Sequence, residues 1–123
     1  MICIRMTERE DGLELSACGH AGYAPRGQDV VCAGVSALIY GFIAYLEGLF
    51  PIATEKAARD GTSRLEVEDK DGILWVRTYG MGGADIMGLA VIRAGLGLIA
   101  SAYPSFVMLD DNIHRKGDEY ESN

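Results

Sequence analysis

No Cys-x-x-Cys pair occurs in the 123 residues, and the chain holds only three cysteines and two histidines. Structural zinc sites are built from close ligand pairs, roughly two to four residues apart. Cys3, Cys18, Cys32, His20 and His114 therefore do not read as a metal centre, and neither metal nor cofactor is expected. An odd number of cysteines gives no disulfide framework and points to free thiols in a reducing compartment. The N-terminal run Met1-Ile2-Cys3-Ile4-Arg5 lacks a basic leader followed by an apolar stretch, so no signal peptide is expected and a cytoplasmic location is. Basic residues are scarce, 11 Lys and Arg against 18 Asp and Glu, for a net charge of −7. Nucleic-acid binders need clustered cations for counterion release, so direct nucleic-acid binding is not expected. A basic protein would suit an acidic enzyme as substrate. Gly80-Met81-Gly82-Gly83 lacks the Lys-Ser/Thr of a phosphate loop and reads as a turn. Val30 to Leu46 is uncharged, but Gly34, Ser36 and Gly41 dilute it and Asp29 and Glu47 bound it; a buried helix is expected, not a membrane span.

The segment from Gly19 to Ser36 carries the chemistry. Cys32 lies three residues after Asp29, a residue suited to cap a helix. The first helical turn offers unpaired N–H groups and the positive end of the macrodipole, both of which favour a thiolate. His20, upstream, supplies an imidazole that can take the thiol proton and later deliver it to a leaving amine. These are the parts of a cysteine peptidase. N–H groups of Cys32 and its neighbours are candidates for an oxyanion hole, and Gly27 for backbone that approaches the scissile strand. Each residue also has a plainer role: Cys32 as a small buried hydrophobe, Asp29 as a cap alone, Ser36 as a hydroxyl bonded back to the Cys32 carbonyl. Ser36 shares a helix face with Cys32, so a supporting role is equally open to it.

The run Gly19-His20-Ala21-Gly22-Tyr23-Ala24-Pro25, followed by Gly27-x-Asp29-x-Val31-Cys32-Ala33 and Ser36, resembles the signature of the ribosomal-processing cysteine proteases, the Prp family. The histidine and cysteine stand twelve apart, as in that family, and Tyr103-Pro104 matches its Tyr-Pro before a last strand. Gln28 and Val30 depart from the lysine and isoleucine frequent there. The resemblance covers the whole chain. It implies a Cys32/His20 dyad, supported by Asp29 and Ser36, with a mobile substrate loop over 21–28 that includes Gly22, Tyr23 and Gly27. The implied reaction removes a short N-terminal extension from ribosomal protein twenty-seven of the large subunit, whose N-terminus reaches towards the peptidyl transferase centre; some relatives process phage structural proteins. A different class of function, a non-catalytic ribosome-associated interaction module, would use the same motif only to build a helix start.

Alternating apolar residues predict two hairpins, the first turning at Asp11-Gly12 with Glu10 opposite Leu13, the second at Asp71-Gly72 with Glu66 opposite Arg77. Helices are predicted over 30–49, capped by Asp29, and over 86–102, capped by Asp85, with a last strand over 105–109. The result is an α+β, two-layer ββα-ββα-β domain over 1–113, with one mainly antiparallel or mixed sheet against two helices and a polar tail at 114–123. Val35, Leu38, Ile39, Phe42, Ile43, Leu46 and Phe50 make the first helix apolar on nearly all sides, more than one sheet face needs, so a homodimer is expected.

Overall fold

A computed structural model describes residues 1–25, 27–60 and 64–112. Arg26, His114 and the expected tail lie outside the described residues. The order is β1 (Ile2–Arg9), β2 (Gly12–Cys18), α1 (Val30–Asp60), β3 (Arg64–Lys70), β4 (Ile73–Tyr79), α2 (Ala84–Ala102) and β5 (Val107–Asn112). The five strands form one mixed sheet in the order β3-β4-β2-β1-β5, antiparallel except for the β1–β5 pair. The expected ββα-ββα-β arrangement and α+β class hold.

Period-two alternation sends Ile2, Ile4 and Met6 of β1, Leu13 and Leu15 of β2, and Val76 of β4 into one buried cluster. From α1 this cluster receives Val31, Val35, Ile39, Phe42, Ile43 and Leu46, and from α2 Leu89, Ile92 and Leu96. The other sheet face carries ion pairs, Arg5 to Asp110 at 3.3 Å and Arg77 between Glu14 and Glu68 at 3.5 Å each. Arg77 also lies over the Trp75 ring, 4.7 Å from its centroid. Exposed pairs of this kind contribute little stability singly, but they keep that face hydrated.

Four local expectations need correction. The first hairpin pairs Arg9 with Gly12, so it turns at Glu10-Asp11, and Leu13 faces Glu8. Gly12 is a strand residue, glycine because a Cβ there would stand 1.9 Å from the Thr78 carbonyl oxygen of β4. Helix α1 continues past Pro51 to Asp60: proline removes one backbone donor, while Ala53, Glu55, Lys56, Ala57 and Ala58 are helix-compatible or strong helix formers. Asp85 is not a cap. Gly83 holds that place, in a left-handed conformation, and Asp85 lies inside the first turn of α2, 2% exposed, accepting a hydrogen bond from the Thr78 hydroxyl. The second hairpin turns at Asp71-Gly72 with Glu66 opposite Arg77, as expected, while β5 starts two residues later than predicted, at Val107.

Of the residues that gave α1 its apolar girth, Val35, Ile39, Phe42, Ile43 and Leu46 are buried within the chain. One flank of α1 meets α2, where Gly88 and Gly95 let the two helices approach: a Cβ at Gly88 would lie 2.4 Å from the Tyr45 ring, and one at Gly95 2.9 Å from Leu38. Val30–Leu49 and Ala84–Ala102 are each long and apolar enough to cross a membrane, and each contributes residues to the cluster buried against the sheet.

Candidate active site

β2 delivers the chain at Gly19, whose positive φ of 88° turns it out of the sheet into His20. From there a loop returns to the start of α1. Asp29 organises both. Its Oδ1 accepts the N–H of Cys32 at 3.0 Å, the side-chain cap expected three residues into a helix. Its Oδ2 accepts the N–H groups of Tyr23 at 3.1 Å and Ala24 at 3.4 Å. One carboxylate thus ties loop to helix. These backbone donors, the N–H of Cys32 foremost, hold the Asp29 carboxyl below the usual carboxylate range against the opposing effect of desolvation. The Tyr23 ring is fastened as well, edge-on to Tyr103 at 5.5 Å and to Phe106 at 5.4 Å.

Cys32 is half-buried in the first turn of α1, and its Sγ accepts the N–H of Ala21 at 3.3 Å. His20 is exposed and lines the same clefts as Cys32. A cleft of about 680 Å³ is lined by His20, Gly22, Ala24, Gly27, Asp29, Cys32, Ala33 and Ser36. A second, of about 360 Å³, has an apolar floor of Ile2, Ala17, Val35, Ile39 and Leu74, with Cys18, Tyr40 and Asp69 among its other lining residues. His20, Cys32 and Ser36 line both, so the thiol and the imidazole sit on the divide between two pockets. An extended peptide laid across that divide would place side chains on either side of the sulfur.

Of the residues singled out by sequence, His20, Cys32, Ser36, Gly22, Gly27 and Asp29 line the larger cleft together. Tyr23 is placed differently: its ring anchors the loop to the segment entering β5. Gly27 has a φ of 89° and open space where a Cβ would be, so backbone conformation demands the glycine. The expected oxyanion donors are already engaged, the Cys32 N–H by Asp29 Oδ1 and the Ala33 N–H by the Asp29 carbonyl at 3.0 Å. Among the described residues Asp29 bonds to backbone donors and not to His20. Sequence reasoning missed Ala21, because its contribution is a backbone N–H, and Asp69, which is distant in sequence and reaches the second cleft only through the β3–β4 hairpin.

A cysteine at a capped helix start that shares its clefts with a histidine is the arrangement to set beside known proteins. The family model described as Cysteine protease Prp matches residues 1–108. The chain belongs to that family. The ribosomal processing cysteine protease Prp of Mycoplasma pneumoniae is 34% identical over 98 residues, 80% of this chain and 86% of the relative. Among solved structures, the ribosomal processing protease Prp of S. aureus with a covalently linked product peptide superposes with a TM-score of 0.71 at 22% identity, covering 90% of this chain and 99% of that one. The same protein with a substrate peptide gives 0.67 over the same shares. The Prp fold is therefore the fold of this chain.

Proposed function

We propose that this member of the Prp family is a cysteine endopeptidase that removes a short N-terminal extension from ribosomal protein twenty-seven of the large subunit. The observation that carries the reading is the placement of Cys32, in the first turn of α1 with an N–H donated to its sulfur, on the divide between two clefts that it shares with His20. The Cys32 thiolate attacks the scissile carbonyl after a hydrophobic or aromatic residue. His20 protonates the departing amine, and water then hydrolyses the thioester. The Ala21 N–H, already aimed at Sγ, is the donor best situated for the oxyanion that forms on the carbon bonded to that sulfur. Asp29 acts through the loop it holds, and Ser36 borders both clefts. Net charge of −7 favours approach of a basic precursor. The M. pneumoniae and S. aureus relatives, named for ribosomal processing, support the choice of substrate.

The test is incubation of the protein with the precursor carrying its leader, followed by N-terminal sequencing of the product. A shortened protein with a single new N-terminus is the expected result. Binding without cleavage, from protein shown to be folded, would replace the peptidase with an interaction module.

Self-association belongs to the same reading, on different grounds from those the sequence offered. The surplus apolar surface lies on α2, where Met87, Val91 and Leu98 are 73%, 73% and 74% exposed at helical spacing. A second copy covering this stripe makes a homodimer, acting in the cytoplasm. Sedimentation of the wild-type protein beside Val91→Glu tests it: a dimer that the substitution splits is expected, and a monomeric wild type would remove it.

A further inference from the structure

We propose that Cys3 and Cys18 form a redox-active pair that closes to an intramolecular disulfide and leaves Cys32 free. The two residues are directly opposite each other in the β1–β2 ladder. Opposite residues share a face, and theirs is the open one, because the flanking Ile2, Ile4 and Ala17 turn towards the helices. Their backbone spacing admits a bridge. Counting from Arg9 and Gly12, which close the two-residue turn, alternate pairs exchange both backbone hydrogen bonds, and Cys3–Cys18 is one of these. Such pairs hold their Cα atoms about 5.5 Å apart. That lies within the span of about 4.4–6.8 Å that disulfides take. The Cβ atoms of a hydrogen-bonded pair stand about 5 Å apart, beyond the ~3.5–4.5 Å of a relaxed bridge, so the bond closes under strain and is readily reduced, as a redox-active pair requires.

The neighbours favour thiol exchange over other uses. Both cysteines are free and half-buried, within reach of a small disulfide. Their partners in the adjoining ladders are Met108 for Cys3 and Ile73 for Cys18, so no carboxylate stands directly beside them to repel a thiolate or an incoming anion. Among the described residues no group of three His, Cys, Asp or Glu side chains could hold a metal ion. Cys32 belongs to the helical layer, its sulfur engaged by the Ala21 N–H.

The step balances with a low-molecular-weight disulfide such as oxidised glutathione. One protein thiolate attacks it, forming a mixed disulfide and releasing one small thiol. The second protein thiolate displaces the other. Two cysteine thiols are oxidised, one small disulfide is reduced to two thiols, and the new S–S bond ties the start of β1 to the end of β2, two residues before His20.

Trypsin separates the three cysteines onto different peptides, residues 1–5, 10–26 and 27–56. The wild-type protein and Cys32→Ala are equilibrated with oxidised glutathione, remaining thiols are alkylated, and the unreduced digests are weighed. In both proteins peptide 1–5 should be joined to peptide 10–26, two hydrogen atoms lighter than their sum. This form should exceed singly glutathionylated Cys3 and Cys18 by roughly tenfold or more, since a tethered thiol acts at millimolar or higher effective concentration. Cys3 and Cys18 carrying separate glutathione or alkyl groups would overturn the proposal, as would either of them joined to the Cys32 peptide. The readout is mass, so it stands or falls independently of peptidase activity.

Discussion

Each half of the chain runs through an antiparallel hairpin and a glycine-containing loop into a helix, and each carries an aspartate where loop meets helix. In the first half Asp29 lies just outside α1, half-buried, with one oxygen on the Cys32 N–H and the other on the loop. In the second, Asp85 lies inside the first turn of α2, buried, bonded to Thr78, whose hydroxyl in turn accepts the Leu13 N–H at 3.0 Å. The two helix starts also face opposite ends of the sheet: Cys18 pairs with Ile73 at one end, while the Gly80 N–H reaches the Asp11 carbonyl at the other. A shift of two residues relative to the helix start therefore decides whether a carboxylate shapes an open cleft or locks a strand end. The same punctuation yields an open cleft at one end and a locked strand at the other.

Substitutions at the two ends should separate activity from stability. Cys32→Ala should abolish cleavage of the precursor while leaving the melting temperature near wild type, because a small residue at a helix start costs little packing. His20→Ala should lower turnover by about 10²- to 10⁴-fold with KM little changed, since the imidazole acts on the proton and not on the leader. At the locked end the pattern reverses: Asp85→Ala should cost about 1–3 kcal/mol of stability by stranding a buried hydroxyl, with kcat unchanged. Denaturant titration beside kinetics on each preparation checks all three. Loss of turnover without loss of stability in Asp85→Ala would erase the distinction between the ends.

Asp29→Asn sharpens the comparison with a smaller effect. Asparagine caps helices about as well, so the melting temperature should fall only slightly. Its amide nitrogen, though, would replace an acceptor facing the Tyr23 and Ala24 N–H groups, so the loop should loosen and turnover should drop. Because the Asp29 carboxyl is held below the usual carboxylate range, its contribution to folding is fully present above that range and is lost as pH falls through the lowered value. Any stability gap between wild type and Asp29→Asn should hold at neutral pH and narrow only under acid. A turnover equal to wild type would reduce Asp29 to a helix cap.

What could be read beforehand follows from which signals repeat. Strand faces were legible because alternation has period two, so misplacing the first turn by one residue moved the register by an even number and left Ile4, Met6 and Leu15 on the buried side. The Asp29 cap was legible because a capping carboxylate keeps a fixed spacing to the N–H it accepts, here that of Cys32. Asp85 was not, since an aspartate before a helix looks the same whether it caps or turns inward; only Thr78, brought alongside by β4, distinguishes the cases. Nor could sequence show that α2 would pack along the flank of α1, because close approach at Gly88 and Gly95 is a property of the pair of helices. The second cleft stayed hidden for a like reason, being assembled from β1, β2, α1 and the β3–β4 hairpin.

The most direct measurement of the central claim is the alkylation rate of each cysteine in one sample of reduced wild-type protein, treated with iodoacetamide at neutral pH and read by peptide mapping. A nucleophilic Cys32 should be modified much faster than Cys3 or Cys18. Equal labelling of the three cysteines would contradict a nucleophilic Cys32 and leave the motif as the start of a helix.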